Sequence, residues 1–303
     1  MGGGGTGNAA KGTHNADTVV VRELTTIAEM HEAEAIQREV WGLPDIDVVP
    51  ASQMKAAAHA GGHLAGAFAA DEMVGFAYGL VALPHDDGTT GVGLHSHMVA
   101  VREQGRQRGT GRALKWFQRQ WCLDRGMRWM TWTFDPLQAR NANLNFQHLG
   151  VVSREYLVDF YGVMSGPLGS DASDRLVALW LIDTERVRSR EAAEASTHAS
   201  SEPSGTWLLH ADDIGGVTDG DGAVVPSMVS DRLGAALERG GAGAARLHVA
   251  VPPDVARLRD ERPAAVKRWR DGIRAAVIPA LEAGYQVTGF AEGAYVLELV
   301  QKD

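Results

Sequence analysis

The chain predicts an α+β fold, and three observations carry that reading. Strand-like and helix-like segments alternate through the first 185 residues around what reads as one sheet. One apolar strand runs straight into a loop of arginines and glycines and then a helix, in "VAVREQGRQRGTGRALK", Val99 to Lys115. From Glu185 the composition shifts to "ERVRSREAAEASTHASSEPSG", with no large apolar residue beyond Val187, which reads as a linker. The predicted organisation is a disordered tail at 1–17, a main domain at 18–185, a linker at 186–205 and a smaller α/β region at 206–303.

In chain order, "DTVVVREL" reads as a first strand, and "TTIAEMHEAEAIQREVWG" as a helix opened by a Thr cap. "MKAAAHAGG" is a short helix stopped by Gly61 and Gly62. "HLAGAFAADEMVGFAYGLVAL" has the form of a hairpin turning at Asp71 and Glu72. The strand "GLHSHMVAV" leads into the basic loop and the helix "GRALKWFQRQWCLDRG". "MRWMTWTFDP" carries bulky residues on both faces and is predicted to be a central strand. "LQARNANLNFQHLG" reads as a helix capped by Gly150, and "SREYLVDFY" and "RLVALWLID" as two further strands. Past the linker come the strand "RLHVAVP", the helix "AAVKRWRDGIRAAVIPALEAG" and two strands in "YQVTGFAEGAYVLELV". "LHVAVPPDVARLR" echoes "HSHMVAVREQGR" of the first half, without its glycines.

Composition limits the function. A formal net charge of −9 argues against nucleic acid or an anionic membrane as partner, because phosphate contacts need a basic face. The single cysteine, Cys122, excludes an intrachain disulfide and fits a reducing, cytoplasmic setting. No stretch approaches the ~18 apolar residues of a membrane span. The Gly-rich start meets the loose myristoylation pattern at Gly2 and Thr6, but no basic patch or second acylation site follows, so it reads as a flexible tail.

Arg106-Gln107-Arg108-Gly109-Thr110-Gly111 lies where a strand gives way to a helix. A helix start offers unpaired N–H groups and the positive end of its dipole. Gly109 and Gly111 let an anion approach the backbone, and Arg106, Arg108 and Arg112 add charge around it. The ligand this describes is a phosphate or pyrophosphate held mainly by main chain. The loop lacks the Gly-Lys-Ser/Thr of a P-loop and the spacing of a dinucleotide-binding turn. The plainer alternative is an arginine-rich turn with no ligand.

The pattern Gln/Arg-x-x-Gly-x-Gly/Ala after an apolar strand resembles the coenzyme-binding loop of the GNAT superfamily of N-acyltransferases. The likeness covers residues 18–185 in element order. "QREVWG", "AAAHAGGHLAGAF", "LHSHMVAV", "NANLNFQHLG" and the C-terminal "GYQVTGF…YVLEL" are similar to a bacterial GNAT group of about this length, so it extends over nearly the whole chain. The resemblance implies a mixed, mostly antiparallel sheet flanked by helices. It leaves the C-terminal region as a degenerate GNAT half packed on the first domain or a dimer element, unable to bind coenzyme without the Gly pair. It further implies an acyl-CoA co-substrate, acetyl-CoA by default with succinyl-CoA as a variant, and no metal. Main-chain groups of Met98, Val99 and Val101 would hold the pantetheine arm. The loop from Arg106 through Gln107, Arg108, Gly109, Thr110 and Gly111 to Arg112 would hold the pyrophosphate. The strand "MTWTF" would splay away to admit the thioester, and Asn141 would contact the coenzyme. The acceptor amine would attack directly, with a main-chain N–H near Met98 or Val99 stabilising the oxyanion.

His95 and His97 lie two apart on one strand and so share a face, just ahead of the pantetheine segment. Neutral histidine is a natural base near pH 7, and His97 is nearer the expected carbonyl. Both also read as structural strand histidines, and no third ligand stands near enough to suggest a metal. The superfamily's asparagine and tyrosine after the splayed strand fall here on Ala139 and Phe146, so its usual tyrosine acid is absent. Tyr161 and Tyr156 are the nearest substitutes, each also readable as a strand or core tyrosine, and water is a third proton source. Trp41, Trp129 and Trp132 read as core. The function expected is acyl transfer to a small-molecule amine or amino acid, by a chain that is monomeric or a homodimer. The alternatives are a non-catalytic acyl-CoA-binding regulatory module and a protein or peptide N-acetyltransferase, whose groove Gly61 and Gly62 would border.

Overall fold

The computed structural model describes residues 19–84, 88–106, 108–162, 172–192, 205–215, 226–239 and 246–300. The expected tail at 1–17, the loop residue Gln107 and the linker beyond residue 192 lie outside them. The first strand, β1 (Val19–Glu23), is followed by α1 (Ile27–Trp41), which opens on the Thr26 cap. The Thr26 hydroxyl accepts the Glu29 N–H (3.3 Å) while the Glu29 carboxylate accepts the Thr26 N–H (2.9 Å), a reciprocal capping box. Then come α2 (Ala51–His59), β2 (His63–Ala69) and β3 (Glu72–Ala82). Their hairpin turns at Ala70 and Asp71, one residue earlier than expected, because Ala69 already pairs with Glu72.

β4 (Gly93–Val101), α3 (Thr110–Asp124) and β5 (Trp129–Phe134) follow. The Asn-rich segment forms α4 (Ala139–Ala142) and widens into a π-helical turn, Asn143–Leu149, closed by Gly150 at φ 75°. The expected strand "SREYLVDFY" shortens to β6 (Tyr156–Leu157), because the chain turns at Asp159 (φ 49°), whose carboxylate accepts the Ser173 N–H at 3.1 Å. β7 (Arg175–Leu181) completes a sheet of order β1-β2-β3-β4-β5-β7-β6. Every neighbouring pair is antiparallel except β4 with β5, so the sheet is mixed and mostly antiparallel, as expected.

The segment read as a linker begins instead with a helix, α5 (Glu185–Ala192). Its one large apolar residue, Val187, is 1% exposed, and Arg119 reaches across to Glu191 at 2.9 Å. One buried contact and ion pairing suffice to dock a helix whose composition looks solvated. Beyond it lie β8 (Thr206–Leu209), α6 (Ala211–Gly215), α7 (Pro226–Arg239), β9 (Leu247–Ala250), α8 (Val255–Glu261), α9 (Pro263–Glu282), β10 (Tyr285–Ala291) and β11 (Ala294–Leu299). The strands form a second sheet, β10-β11-β9-β8.

One apolar core runs through both units, from Trp132, Phe146 and Trp180 of the first to Ile273, Val287 and Tyr295 of the second. Ser153 and Val287 exchange backbone hydrogen bonds of 2.9 and 2.8 Å, and the Tyr295 hydroxyl donates to the Pro136 carbonyl at 2.7 Å. The second unit therefore continues the first rather than hanging from it.

A buried polar chain seats α3 on the sheet. The Lys115 Nζ donates to the Ser96 hydroxyl (2.7 Å), which donates to the Gln118 Oε1 (2.8 Å), and the Gln118 amide meets His63 Nδ1 at 3.3 Å. Burial holds the Lys115 amine well below its ordinary value. Burial, with the Lys115 and Arg125 charges adding to it, lowers His63 to about 3. His63 is thus neutral in the folded chain, whereas in the unfolded chain it takes up a proton below about pH 6.5. Its contribution to stability is present above that pH and is lost as the pH falls toward 3. Chemical denaturation of wild type and His63→Gln from pH 7 to pH 4 should show the gap between them shrinking below pH 6 by about 1.4 kcal/mol per unit. A gap independent of pH contradicts the buried neutral assignment.

Candidate functional site

β4 and β5 pair for only two positions, Leu94 with Met130 and His95 with Thr131. Beyond His95 no further β4–β5 pair forms, so β4 from Ser96 to Val101 has no strand partner on its β5 side among the described residues. Two features favour the parting. The β3–β4 register slips between Tyr78–Met98 and Leu80–His95, which places an extra residue in β4 at Ser96–His97, and such a bulge bends and twists its strand. Immediately past the last pair, Lys115 stands between the strands, bonded to Ser96 on β4 and 3.6 Å over the Trp132 ring on β5. The expected splay of "MTWTF" is thus present, and the lysine at its apex was not legible in the sequence.

The open end of this wedge meets the basic loop. Gly105 and Arg106 donate back to Arg102 and Glu103 in one turn of 3₁₀ helix. Gly109 then takes φ 72°, a left-handed conformation that favours glycine, and starts α3 with no side-chain cap. The first bond of the helical ladder is Ala113 N–H to the Gly109 carbonyl, at 2.9 Å. The amides of Thr110, Gly111 and Arg112 precede it and point out of the helix end. A Cβ at Gly109 would meet nothing within 4 Å, and one at Gly111 only Val101 at 4.0 Å, so there is open space beside this backbone. Main-chain donors with room in front of them fit a diphosphate.

The side chains divide. The Thr110 hydroxyl is buried and donates to the Gly105 carbonyl at 2.8 Å, which leaves its amide as the group facing the loop. Arg112 turns toward α5, donating to the Arg190 carbonyl at 3.3 Å. Arg106 and Arg108 are exposed at the loop. Met98, Val99 and Val101 pair with Tyr78, Ala77 and Gly75 of β3 and are half-buried beside the wedge.

His95 and His97 stand together despite the bulge, with ring centroids 6.1 Å apart. His95 Nδ1 lies 3.2 Å from the Thr131 hydroxyl, at the last paired position, and so bridges the apex. His97 keeps an exposed edge, yet its ring sits 6.0 Å from the wholly buried Tyr78. Burial moves His97 below the ordinary histidine value, so it is neutral at pH 7 and able to accept a proton. Tyr161 holds its hydroxyl 3.1 Å from Thr133 on β5, with the Arg175 guanidinium 5.0 Å from its ring centroid. Tyr156 is bound to Asp174 at 2.7 Å, and burial raises its pKa further, which makes it a poor proton source. Phe146, where the superfamily tyrosine is expected, is fully buried against Tyr295.

A cleft of about 380 Å³ opens beside the loop. Arg106 and Asn141 both line it, as do Trp41 of α1, Arg175 of β7 and two arginines of the second unit, Arg259 and Arg270. Trp41, expected in the core, is half-buried with one face on this cleft. α1 is held there by Arg102, whose buried guanidinium reaches Glu39 (2.7 Å), Glu32 (2.6 Å) and the Met73 carbonyl (2.7 Å). His95 and His97 do not line the cleft. Among the described residues no group of three or more His, Cys, Asp or Glu is placed to hold a metal, and no helix is long and apolar enough to cross a membrane.

No protein-family profile matches the chain, and no curated protein does. Solved structures of similar shape are found. The ribosomal-protein-S18-alanine N-acetyltransferase of Escherichia coli is 15% identical, with 61% of this chain and 100% of that one covered and a TM-score of 0.44. An aminoglycoside 6′-acetyltransferase of type Ii is 17% identical, with 54% and 97% covered and a TM-score of 0.42. A Desulfovibrio desulfuricans protein assigned as a GNAT-family acetyltransferase is 16% identical, with 55% and 99% covered and a TM-score of 0.41. These are acetyltransferases by name, and each match covers little more than half of this chain.

The open space at Gly111 yields a direct test. Gly111→Trp, with φ in the ordinary range, should leave the circular dichroism spectrum intact and weaken calorimetric CoA binding at least tenfold. Unchanged affinity in the folded variant removes the loop from coenzyme binding.

Proposed function

We propose that the chain is an acyl-CoA-dependent N-acyltransferase of the GNAT type, acting on the amine of a small molecule or amino acid. The observation that carries this reading is the coincidence of two features at one place. The ligand-ready amides of Thr110, Gly111 and Arg112 sit at the mouth of a wedge left by two parallel strands that pair at only two positions. The amides suit the diphosphate of a coenzyme thioester, with Arg106 and Arg108 adding charge. The unpaired edge of β4 at Met98, Val99 and Val101 suits the amide-bearing pantetheine arm, which can bond to it as an added strand would. Asn141 lines the same cleft as Arg106, which supports a contact with the same ligand. Acetyl-CoA is the default donor, with succinyl-CoA the dicarboxylic variant.

In the reaction the acceptor nitrogen attacks the thioester carbonyl carbon. The C–N bond forms as the C–S bond breaks, and the electron pair leaves on sulfur. His97, neutral at pH 7, takes the amine proton directly or through water, and His95 steadies it from the apex. A main-chain N–H near Met98 or Val99 stabilises the oxyanion while the carbonyl is tetrahedral. The departing thiolate takes a proton from water or from Tyr161, whose hydroxyl lies 3.1 Å from that of Thr133 on β5. Among its described residues the second unit shows no equivalent loop. Its α8 starts at Asp254, whose carboxylate accepts the Arg257 N–H at 3.0 Å, so a side chain occupies the position an anion would need. Coenzyme binding is therefore assigned to the first unit alone.

Free-thiol release from acetyl-CoA and succinyl-CoA, measured with a panel of amines and amino acids, tests the proposal. Turnover on at least one acceptor is expected, and micromolar coenzyme binding without any turnover favours a non-catalytic acyl-CoA-binding module instead. In the active case His97→Ala should lower kcat by about 10²-fold and remove the acidic limb of the pH profile. A profile that keeps its shape and height excludes His97 as the base.

A further inference from the structure

Ser96 and Lys115 have no task in the acyl-transfer reading above, yet both lie where β4 changes its facing. Side chains of a regular strand alternate between two faces, and β4 breaks the alternation once. Before the bulge the even-numbered residues face α3: Leu94 shares a core with Cys122 of α3, and Ser96 reaches Lys115 and Gln118. After it they face α1, with Met98 and Ala100 clustered with Met30 and Ile36, while Val99 and Val101 turn to Leu114 of α3. His97 falls at the switch and stands on the α1 side, beside His95 and Tyr78. Were the bulge one residue earlier, His97 would face α3 instead.

The sheet alone fixes this register weakly. Beyond His95, β4 pairs with β3 on one edge and with no strand on the other among the described residues. Ser96 supplies a second anchor. It is 2% exposed, and its hydroxyl accepts from Lys115 Nζ at 2.7 Å and donates to Gln118 Oε1 at 2.8 Å. The two partners are one turn apart on α3, so one helix face grips one hydroxyl. Both are buried, and among the described residues Lys115 has no carboxylate at ion-pair distance; its second contact is the Trp132 ring at 3.6 Å. Turning Ser96 to the other face would leave a buried amine and a buried amide without their partner, which is costly. A methionine would fill the same volume without a polar group to satisfy, so packing alone does not account for the lysine.

We propose that Ser96 and Lys115 are positioning residues: their bond locks the bulge in the register that turns His97 to the same face as His95. The proposal rests on the reading of His97 as the base of acyl transfer. Its structural half, the link from Ser96 to the placement of the His97 ring, is read without turnover.

Ring-proton NMR of the full-length protein, with histidine and tyrosine observed selectively, reports the His97–Tyr78 contact as cross-relaxation between the two rings. In Ser96→Ala that signal should vanish, and kcat should fall by about tenfold or more while KM for the acyl-CoA stays within about threefold. Lys115→Met should move both readouts in the same direction. The double variant should lose no more than Ser96→Ala alone, because the two residues act through one bond. Lys115→Met also carries the test where Ser96→Ala does not fold. Intact cross-relaxation in the folded variants overturns the register lock. Lost cross-relaxation with unchanged kcat overturns the positioning role, since His97 has then moved without effect on the reaction. A wild type that binds CoA but turns over no acceptor overturns the acyl-transfer reading and the catalytic meaning of the lock, whose existence the cross-relaxation still decides.

Discussion

The interaction on which the site depends is one that stops early. β4 and β5 share two parallel register positions and then part, in a sheet whose other long strands pair along most of their length. A parted pair in the middle of a sheet leaves backbone groups that must find another partner or be solvated. Here the parting is built in. A bulge at Ser96–His97 bends one strand, and Lys115 stands between Ser96 and Trp132 at the apex. The same lysine belongs to the polar chain that seats α3. The helix that starts at the mouth of the wedge thus also contacts both strands near its apex.

The two units use similar strand-to-helix transitions for opposite ends. In the first, Gly109 leaves the helix end uncapped, and nothing lies within 4 Å of where its side chain would be. In the second, Asp254 caps α8 with its own carboxylate. The second unit has kept structural work instead. Its core is continuous with that of the first, and its ion pairs run to Asp135 and Asp174, residues that flank the far edge of the wedge. The chain thus places arginines from α8 and α9 in a cleft that the first unit alone would leave open on one side.

Much of the first unit was legible because its signals are local. The Thr26 cap, the tight β-hairpin and the Gly-flanked start of α3 depend on residues a few positions apart. The glycines and charge of the loop were visible for the same reason, since they lie within six consecutive residues. What could not be read depends on distance in sequence. Lys115 looks like one more cation on a basic helix until the fold brings it to Ser96 and Trp132. Trp41 resembles a core residue, and only the Arg102 clamp on Glu32 and Glu39 turns its helix toward the cleft. The helix α5 was hidden because one valine is its whole large-apolar contribution. The cleft combines residues 106, 175, 259 and 270, and no local pattern joins them.

The central claim is that the amides at the start of α3 bind the diphosphate of a coenzyme thioester. Amide-resolved NMR during titration with CoA tests it most directly. The N–H resonances of Gly109, Thr110, Gly111 and Arg112 should shift together and saturate with the binding isotherm, while the Arg257 amide at the capped start of α8 stays in place. Saturable CoA binding that leaves those four resonances unmoved would contradict it.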